Sequence, residues 1–213
     1  MAKEVNRCVI ICASPYYQAD FIKSQIKPND YIICADGGYD TANTVNIKPN
    51  LIIGDFDSSK LQANNTLSVV KLPVEKDDTD SVYCAKYAVS KGFNNFLILA
   101  ATGGRIDHMY AHFALLQYLY RQNCKAVIKD TFTSIYYTED EIKLSCKNQT
   151  VSVLPYGCSY AEVTLNGFKY KAEKLKMTSD FPIGISNIAT DESSVITMHN
   201  GGVLVMVNNL QSE

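Results

Sequence analysis

Four clusters of acidic residues and glycines lie in the first half of the chain. They span residues 34–38, 52–58, 75–80 and 101–108. Three of them come directly after short apolar runs that are typical of strands, and the cluster at 75–80 lies where a helix is predicted to begin. Because ligands of an open α/β sheet bind beyond the carboxyl ends of its strands, we expect the four clusters to converge on one site.

The carboxylates of these clusters are closely spaced. Asp55 and Asp57 are two residues apart, so in an extended chain they point to the same side. Asp77 and Asp80 are three apart, so they share a face on the first turn of a helix. Carboxylates gathered in this way repel each other unless a cation lies among them, and Mg²⁺ prefers oxygen ligands that it shares with substrate phosphates. The acidic residues therefore predict a magnesium site that binds phosphates.

The glycines and the basic residues fit the same interpretation. Gly37-Gly38 and Gly103-Gly104 allow tight turns that bring backbone N–H groups close to a ligand. Arg105 can bind phosphate oxygens with two N–H groups at once, and Lys76 supplies a second positive charge. His108 follows at a predicted helix start, where the helix N-terminus also favours anions. Together these residues predict a phosphate-binding site.

Each cluster also has a purely structural interpretation. Residues 78–80 are good helix-capping residues, residues 36–38 can form only a turn, and Gly103-Gly104 can be only a tight link. The run from Gly54 to Ser58 is harder to explain in this way, because a turn does not require two acids flanking a phenylalanine. The joint occurrence of the four clusters favours the phosphate site.

Short apolar runs alternate with amphipathic stretches in the first part of the chain. The predicted strands are Cys8–Cys12, Tyr31–Ala35, Leu51–Ile53, Ser68–Leu72, Phe96–Ala100 and Ala126–Ile128. Apolar residues at helical spacing predict helices over Thr79–Lys91 and His108–Gln122. His112 on the second helix is expected to pack in the interior or to lie on the surface. The alternation predicts an N-terminal α/β domain with a mostly parallel sheet, whose strands are covered on both faces.

The pattern changes near Asp130. Short alternating segments follow, separated by Gly, Asn, Ser or Pro, and the clearest are Thr150–Leu154, Tyr160–Leu165, Val195–His199 and Val203–Val207. This pattern is typical of an all-β sandwich or barrel. We therefore predict two domains, with a boundary between residues 130 and 140, and place them at 1–132 and 133–213.

Composition narrows the class of protein. The net charge is −2, so no long basic surface for nucleic acid is expected. No apolar run approaches the ~20 residues that a membrane span needs. The seven cysteines form no C-x-x-C pair, which favours reduced thiols in a cytoplasmic protein.

These motifs, in this order, resemble those of the thiamin pyrophosphokinase family, also called thiamin diphosphokinases. The matching residues are Asp36–Gly38, Gly54–Ser58, Lys76–Asp80 and Gly103–His108 in the first domain, and Gly167–Tyr170 and Gly184–Asn187 in the second. The resemblance implies an α/β nucleotide-binding domain followed by a β-sandwich. It also implies a homodimer that holds thiamin between the sandwich of one subunit and the α/β domain of the other.

The resemblance further implies an activity and residue roles. Thiamin diphosphokinases transfer the diphosphoryl group of ATP to the hydroxyethyl group of thiamin, with Mg²⁺, and release AMP. The implied catalytic residues are Asp36, Asp57, Asp80 and Arg105, and the implied metal ligands are Asp55, Asp57 and Asp80. The nucleotide and its phosphates would be bound by Gly37, Gly38, Lys76, Asp77, Thr79, Gly103, Gly104, Asp107 and His108. Thiamin would lie near Tyr170, Ser186 and Asn187. The proton acceptor is left open between Asp36 and Asp80.

Two other functions remain open on the sequence. One is a diphosphokinase that acts on another alcohol, such as a pterin. The other is a non-catalytic nucleotide-binding or thiamin-binding protein, whose carboxylates would repel phosphates unless a metal ion lay among them. An ordinary P-loop kinase is disfavoured, because the chain has no G-x-x-x-x-G-K-[ST] motif.

Overall fold

The computed structural model describes residues 7–55, 68–73 and 78–208. The chain divides into two compact units, Met1–Thr131 and Phe132–Glu213. The first unit alternates strands and helices, and the second consists of strands, as the sequence predicts.

Six parallel strands form the sheet of the first unit. They are β1 (Cys8–Ile11), β2 (Tyr31–Ala35), β3 (Leu51–Gly54), β4 (Val69–Lys71), β5 (Asn95–Leu99) and β6 (Lys125–Lys129). Their spatial order is β6-β5-β1-β2-β3-β4, and every neighbouring pair is parallel. The chain therefore adds strands outward from β1 and then returns to the other side of β1 with β5. Such a reversal opens a crevice at the carboxyl ends of β1 and β5.

Four helices lie between these strands in the described part of the chain. They are α1 (Ala19–Gln25), α2 (Gly38–Thr44), α3 (Asp80–Ser90) and α4 (Ile106–Arg121). Ile22 of α1 and Ala42 of α2 pack in one cluster with Val9 and Ile11 of β1. Helix α3 packs against β1, β2 and β3, and α4 packs against α3 and β6. The two helices predicted from apolar spacing correspond to α3 and α4, which confirms them.

Burial follows the predicted pattern in the centre of this sheet but not at its edge. Every residue of β1 and β3 is buried, in agreement with their continuous apolar sequences. By contrast, all three residues of β4 are exposed, and Val69 retains 46% of its accessible surface. The expectation that every strand is covered on both faces was wrong for β4, because this strand lies at the edge of the sheet.

The second unit is a sandwich of two antiparallel sheets. Its strands are β7 (Thr133–Thr138), β8 (Glu141–Leu144), β9 (Thr150–Pro155), β10 (Tyr160–Asn166), β11 (Ala172–Thr178), β12 (Asn187–Ile188), β13 (Ser194–Asn200) and β14 (Val203–Asn208). One sheet has the order β12-β9-β14-β7, and the other has the order β11-β10-β13-β8. Val153 and Val205 of the first sheet pack with Val163 and Ile196 of the second in a single core. The predicted β-sandwich is confirmed.

The cysteines take no part in disulfides. All seven are free thiols, and every one except Cys158 is buried. Burial raises the pKa of Cys12 to about 12, so this thiol stays protonated and unreactive at neutral pH. Within the described ranges, no helix is both long and apolar enough to cross a membrane.

Candidate active site

A cavity of about 1020 Å³ lies in the first unit, at the carboxyl ends of its strands. Its wall is formed by the segments that follow β1, β2, β3 and β5, together with the start of α3 and α4. The predicted site residues that line it are Asp36, Gly37, Asp55, Thr79, Asp80, Gly103, Gly104, Arg105 and His108. The expected convergence of strand ends is thus observed for the described residues. Three further predicted residues, Asp57, Lys76 and Asp77, lie outside the described ranges.

Asp36 and Asp55 directly follow the neighbouring strands β2 and β3. Asp36 adopts a left-handed backbone conformation with φ of 42°, and its N–H donates to the carbonyl of Ile53 at 2.8 Å. A Cβ atom added to Gly54 would lie 2.9 Å from Oδ1 of Asp36. Only glycine at position 54 therefore leaves room for the Asp36 carboxylate against the end of β3, directly before Asp55. A positive φ is uncommon for a non-glycine residue, although Asp adopts it more readily than most, and here it occurs where the chain leaves β2 at the cavity.

The described acidic side chains fit a metal ion that is held partly by a substrate phosphate better than one held by protein ligands alone. In the part of the chain that the structure describes, no three His, Cys, Asp or Glu side chains are grouped to hold a metal ion. Mg²⁺ usually needs only one or two carboxylates, because substrate phosphates and water supply its other ligands. Asp55 and Asp80 line the same cavity and offer such oxygen ligands. The residues present therefore suit a magnesium ion that arrives with a phosphate ligand.

The loop before α4 carries the cavity's arginine. Gly103 and Gly104 both have positive φ, at 75° and 65°, which glycine adopts without strain. Arg105 donates from Nη2 to Oδ2 of Asp107 at 2.6 Å and from Nε to Oδ1 at 3.2 Å. The hydrogen bond from Arg105 lowers the pKa of Asp107 to about 2, and the same contact raises the pKa of Arg105. The guanidinium is therefore charged, and it forms an exposed ion pair beside the cavity.

Two predicted phosphate-binding residues have other contacts. Asp107 does not line the cavity, and its carboxylate instead holds Arg105. Gly38 does not line the cavity either. It packs instead against β1, where a Cβ atom at this position would lie 2.0 Å from the carbonyl oxygen of Ile11. Gly38 allows α2 to pack against the end of β1. Direct phosphate contacts by these two residues stay predictions.

The loop after β5 is held by side chains from three other segments. Thr102 donates from Oγ1 to Oδ2 of Asp130 at 2.7 Å, and its carbonyl accepts a hydrogen bond from Oγ of Ser14. Nδ1 of His112 is 2.8 Å from the carbonyl of Ala101. Ala100, at the start of this loop, has a left-handed φ of 51°. The loop that carries Gly103 and Gly104 is thus fixed by several independent hydrogen bonds.

His112 combines a packing role with a place in the cavity wall. Its side chain is buried and lies among the lining residues, so the interior alternative of the sequence prediction holds. Burial lowers the pKa of His112, which outweighs the opposite effect of its hydrogen bond to Ala101. The imidazole is therefore neutral near pH 7, with the proton on Nδ1 that the carbonyl requires.

The predicted thiamin residues lie together in the second unit. Asn187 is buried, accepts from the N–H of Tyr170 at 3.0 Å and donates from Nδ2 to the carbonyl of Tyr170 at 2.8 Å. Ser186 has a left-handed φ of 62°, and its N–H donates to Oγ of Ser152 at 3.1 Å. Asn187 thus holds the backbone of Tyr170, whose side chain is 63% exposed.

An exposed apolar face accompanies these residues. Tyr170, Phe181, Ile183 and Ile185 each keep more than half of their surface accessible, and we use the term exposed apolar face for these four side chains. A Cβ atom on Gly184 would lie 1.9 Å from the carbonyl oxygen of Val153, so the segment that carries the two isoleucines lies close against β9. Apolar side chains grouped on a protein surface commonly mark an interaction site.

Family models match both units of the chain. The model of the thiamin pyrophosphokinase catalytic domain matches residues 22–128. The model of the thiamin pyrophosphokinase vitamin B1 binding domain matches residues 137–203. The chain belongs to the thiamin pyrophosphokinase family. The resemblance seen in the sequence is thereby confirmed, together with the predicted activity of thiamin diphosphokinase and the predicted class of transferase.

Individual relatives agree with the family models. The chain is 27% identical over 183 residues to a thiamine pyrophosphokinase of Bacillus subtilis, covering 82% of this chain and 85% of the relative. It is 27% identical over 201 residues to thiamine pyrophosphokinase 1 of Oryza sativa, covering 78% and 74%. The crystal structure of the Bacillus subtilis thiamine pyrophosphokinase superposes with a TM-score of 0.84 at 24% identity, covering 95% of this chain and 99% of that one. The yeast thiamin pyrophosphokinase structure has a TM-score of 0.83 at 16% identity, covering 97% and 87%.

Some cavity residues of this thiamin pyrophosphokinase family member carry no recognisable sequence signal. Ser14, Pro15, Tyr16 and Tyr17 line the cavity directly after β1. They contain no acidic residue and no glycine, the residue types that mark the other strand ends of this cavity. Their position after a buried strand is the one property that could have marked them, because all strand ends of such a sheet face the ligand side.

Proposed function

We propose that the cavity of the first unit binds the phosphates of ATP with Mg²⁺ and is where the diphosphoryl group passes to the hydroxyethyl group of thiamin. The observation that carries this proposal is the grouping of Asp36, Asp55, Asp80 and Arg105 around one cavity. Carboxylates bind a metal ion, and an arginine binds phosphates. A cavity that contains both therefore suits a metal ion and phosphates bound together.

Asp55 and Asp80 are the described residues that would hold Mg²⁺, with Asp57 as the third proposed ligand. A bound magnesium ion offsets the charge of the phosphate oxygens. The carboxylates supply hard oxygen atoms at defined places in the fold, because Asp55 directly follows the buried strand β3 and Asp80 begins α3. They orient the phosphates by that placement.

Arg105 neutralises charge on the transferring diphosphoryl group. Its guanidinium lies at the cavity and is hydrogen-bonded to the exposed carboxylate of Asp107, which can release it to a phosphate. The N–H groups of the loop at Gly103 and Gly104, and the start of α4, favour the same anion. Lys76, Asp77, Thr79 and His108 complete the nucleotide site in this proposal. Phosphoryl transfer of this kind depends mainly on positioning and charge neutralisation.

The acceptor hydroxyl of thiamin attacks the β-phosphorus, and AMP leaves. An aspartate near the acceptor takes the hydroxyl proton, and Asp36 and Asp80 are the two candidates because both line the cavity. The backbone of Asp36 is held at the cavity by the hydrogen bond from its N–H to the carbonyl of Ile53.

Thiamin is held by Tyr170 and Ser186 in this proposal, with Asn187 as the residue that positions Tyr170. The thiazolium ring is cationic, and an aromatic face such as that of Tyr170 attracts a cation. Lys169 places its Nζ atom 5.5 Å from the centre of this ring, so it would have to move if thiamin used the same face.

We also propose that the protein works as a homodimer in the cytoplasm, with thiamin at the subunit interface and with no nucleic-acid or membrane partner. The exposed apolar face supports the dimer, because a second subunit would remove it from water. The free thiols and the near-balanced charge support the cytoplasmic assignment. In this scheme residues 1–132 are the catalytic domain, and residues 133–213 bind thiamin and dimerise.

The decisive assay combines the purified protein with ATP, Mg²⁺ and thiamin, and measures AMP and thiamin diphosphate by chromatography. We expect equal, thiamin-dependent yields of the two products, and no product after addition of a chelator. AMP without thiamin diphosphate would point to another alcohol acceptor, such as a pterin. If folded protein forms neither product, the remaining interpretation is a non-catalytic protein that binds nucleotide or thiamin.

A further inference from the structure

Tyr16 is an exposed aromatic residue at the wall of the cavity. Its side chain keeps 72% of its surface accessible, although it lines the cavity together with Gly103 and Gly104. These two glycines belong to the loop between β5 and α4, which we call the phosphate loop. It follows β1, at the crevice where the strand order reverses. An aromatic ring that remains open to a ligand cavity offers a large flat surface for contact.

The backbone that carries Tyr16 is fixed to the phosphate loop. The N–H of Ser14 donates to the carbonyl of Ala100 at 3.0 Å, and its Oγ donates to the carbonyl of Thr102. The N–H of Tyr16 in turn donates to Oγ of Ser14 at 3.2 Å. The position of Tyr16 therefore follows that of the loop, even though its ring is exposed.

The two glycines of the loop make room for this segment. A Cβ atom on Gly103 would lie 3.0 Å from Cδ2 and 3.2 Å from Cβ of Tyr16. A Cβ atom on Gly104 would lie 2.9 Å from Cδ of Pro15. One edge of the Tyr16 ring thus rests on the loop backbone, while most of its surface remains accessible.

A ring in this position can stack on a flat heteroaromatic ring of a bound substrate. Both substrates of the reaction contain such rings, namely the adenine of ATP and the two rings of thiamin. We propose that Tyr16 stacks on the heteroaromatic ring of a substrate bound in this cavity and so contributes to its affinity. This inference rests on the proposed function of the cavity.

The chain contains no tryptophan, so Tyr16→Trp would place a single fluorescent indole at this position. Its emission is titrated, in the presence of Mg²⁺, with ATP, thiamin and inorganic tripolyphosphate. Saturable quenching by ATP assigns the adenine ring, and quenching by thiamin assigns the thiamin rings. Tripolyphosphate has no ring and is expected to leave the emission nearly unchanged.

Tyr110→Trp is the matched control, because Tyr110 is 64% exposed on α4 but does not line the cavity. Its emission should not respond to any of the three ligands. If tripolyphosphate quenches Tyr16→Trp as strongly as ATP does, the proposal is wrong. It is also wrong if calorimetry shows ATP and thiamin bound while the emission stays constant.

Steady-state kinetics give a second, independent test. Tyr16→Leu should raise KM roughly ten-fold for the substrate whose ring is stacked, with a smaller change in kcat, since stacking acts on binding. Tyr16→Phe should restore most of that loss, because it keeps the ring. An unchanged KM in a folded Tyr16→Leu variant would overturn the inference, whereas an inactive wild-type protein would overturn the proposed function instead.

Discussion

The phosphate end of the proposed site is a cavity inside the first unit, whereas the proposed thiamin end is an exposed face of the second unit. The cavity is lined by charged side chains of both signs, among them Asp36, Asp55 and Arg105. The face around Tyr170 consists of apolar side chains that remain open to water. Phosphates need fixed charges to replace their hydration, while an apolar ring gains affinity mainly when water is excluded. The proposed phosphate end draws its described residues from one unit, whereas we propose that the thiamin end gains affinity when a second subunit covers it.

The largest effect should follow from changing a carboxylate of the cavity. Asp55→Asn removes the charge but keeps the size, and we expect kcat to fall on the order of 1000-fold, because metal-assisted charge neutralisation contributes several kcal/mol. Asp20→Asn changes an exposed carboxylate on α1 and serves as the control. Thermal unfolding of both variants establishes that they fold. Near-normal turnover of Asp55→Asn would remove this residue from the metal site and weaken the contrast between the two ends.

The next effect concerns the orientation of Arg105. Arg105→Lys keeps the positive charge but loses the two-pronged geometry, and we expect kcat to fall roughly 100-fold. Asp107→Asn should have a smaller effect of the same kind, because the guanidinium remains but is held less firmly. Turnover of both variants is measured at saturating ATP. Equal losses would show that orientation matters as much as the group itself, and no loss in either would exclude Arg105 from the transition state.

Several features of this site followed from the sequence because they depend on local pattern. Apolar runs predict the buried strands β1, β2, β3 and β5, and the position of acidic residues after them predicts a shared edge. Asp36, Asp55 and Asp80 therefore met at the cavity as expected. Parallel topology requires this, since all strands end on the same side of the sheet.

Other features depend on contacts between distant residues and could not be predicted in the same way. The sequence around Gly38 predicts a phosphate contact, yet the neighbour of Gly38 in space is the carbonyl of Ile11. Asn187 suggests a ligand contact, yet its amide is engaged by the backbone of Tyr170. Tyr16 has no motif of its own, and only the packing of its segment on Gly103 reveals its place. Each case needs a distance across the fold that sequence spacing does not contain.

The apolar face of the second unit should respond through assembly rather than through chemistry. Ile185→Asp introduces a charge into this face, and we expect the dimer to dissociate and KM for thiamin to rise roughly ten-fold, because a buried unpaired charge opposes association. Analytical ultracentrifugation measures the first change and kinetics the second. Val69→Asp, at an exposed apolar position on β4, is the control that should leave both unchanged. A dimer that survives Ile185→Asp would show that this face is not the interface.

The smallest effect should come from His112, which joins the cavity wall to the interior. Its pKa is lowered by burial, so the folded state binds a proton less readily than the unfolded chain, whose value is near 6.5. The free energy of unfolding should therefore decrease as the pH falls below about 6.5, and each unit by which the pKa is lowered corresponds to about 1.4 kcal/mol in acid. Chemical denaturation is measured between about pH 7.5 and 5.5. The free energy of unfolding should decrease less steeply with falling pH for His112→Gln than for the wild-type protein. His199→Gln, at an exposed histidine on β13, should retain the wild-type slope. Equal slopes for all three proteins would mean that His112 is not the residue that makes folding sensitive to acid, and that the cavity wall tolerates a charged imidazole.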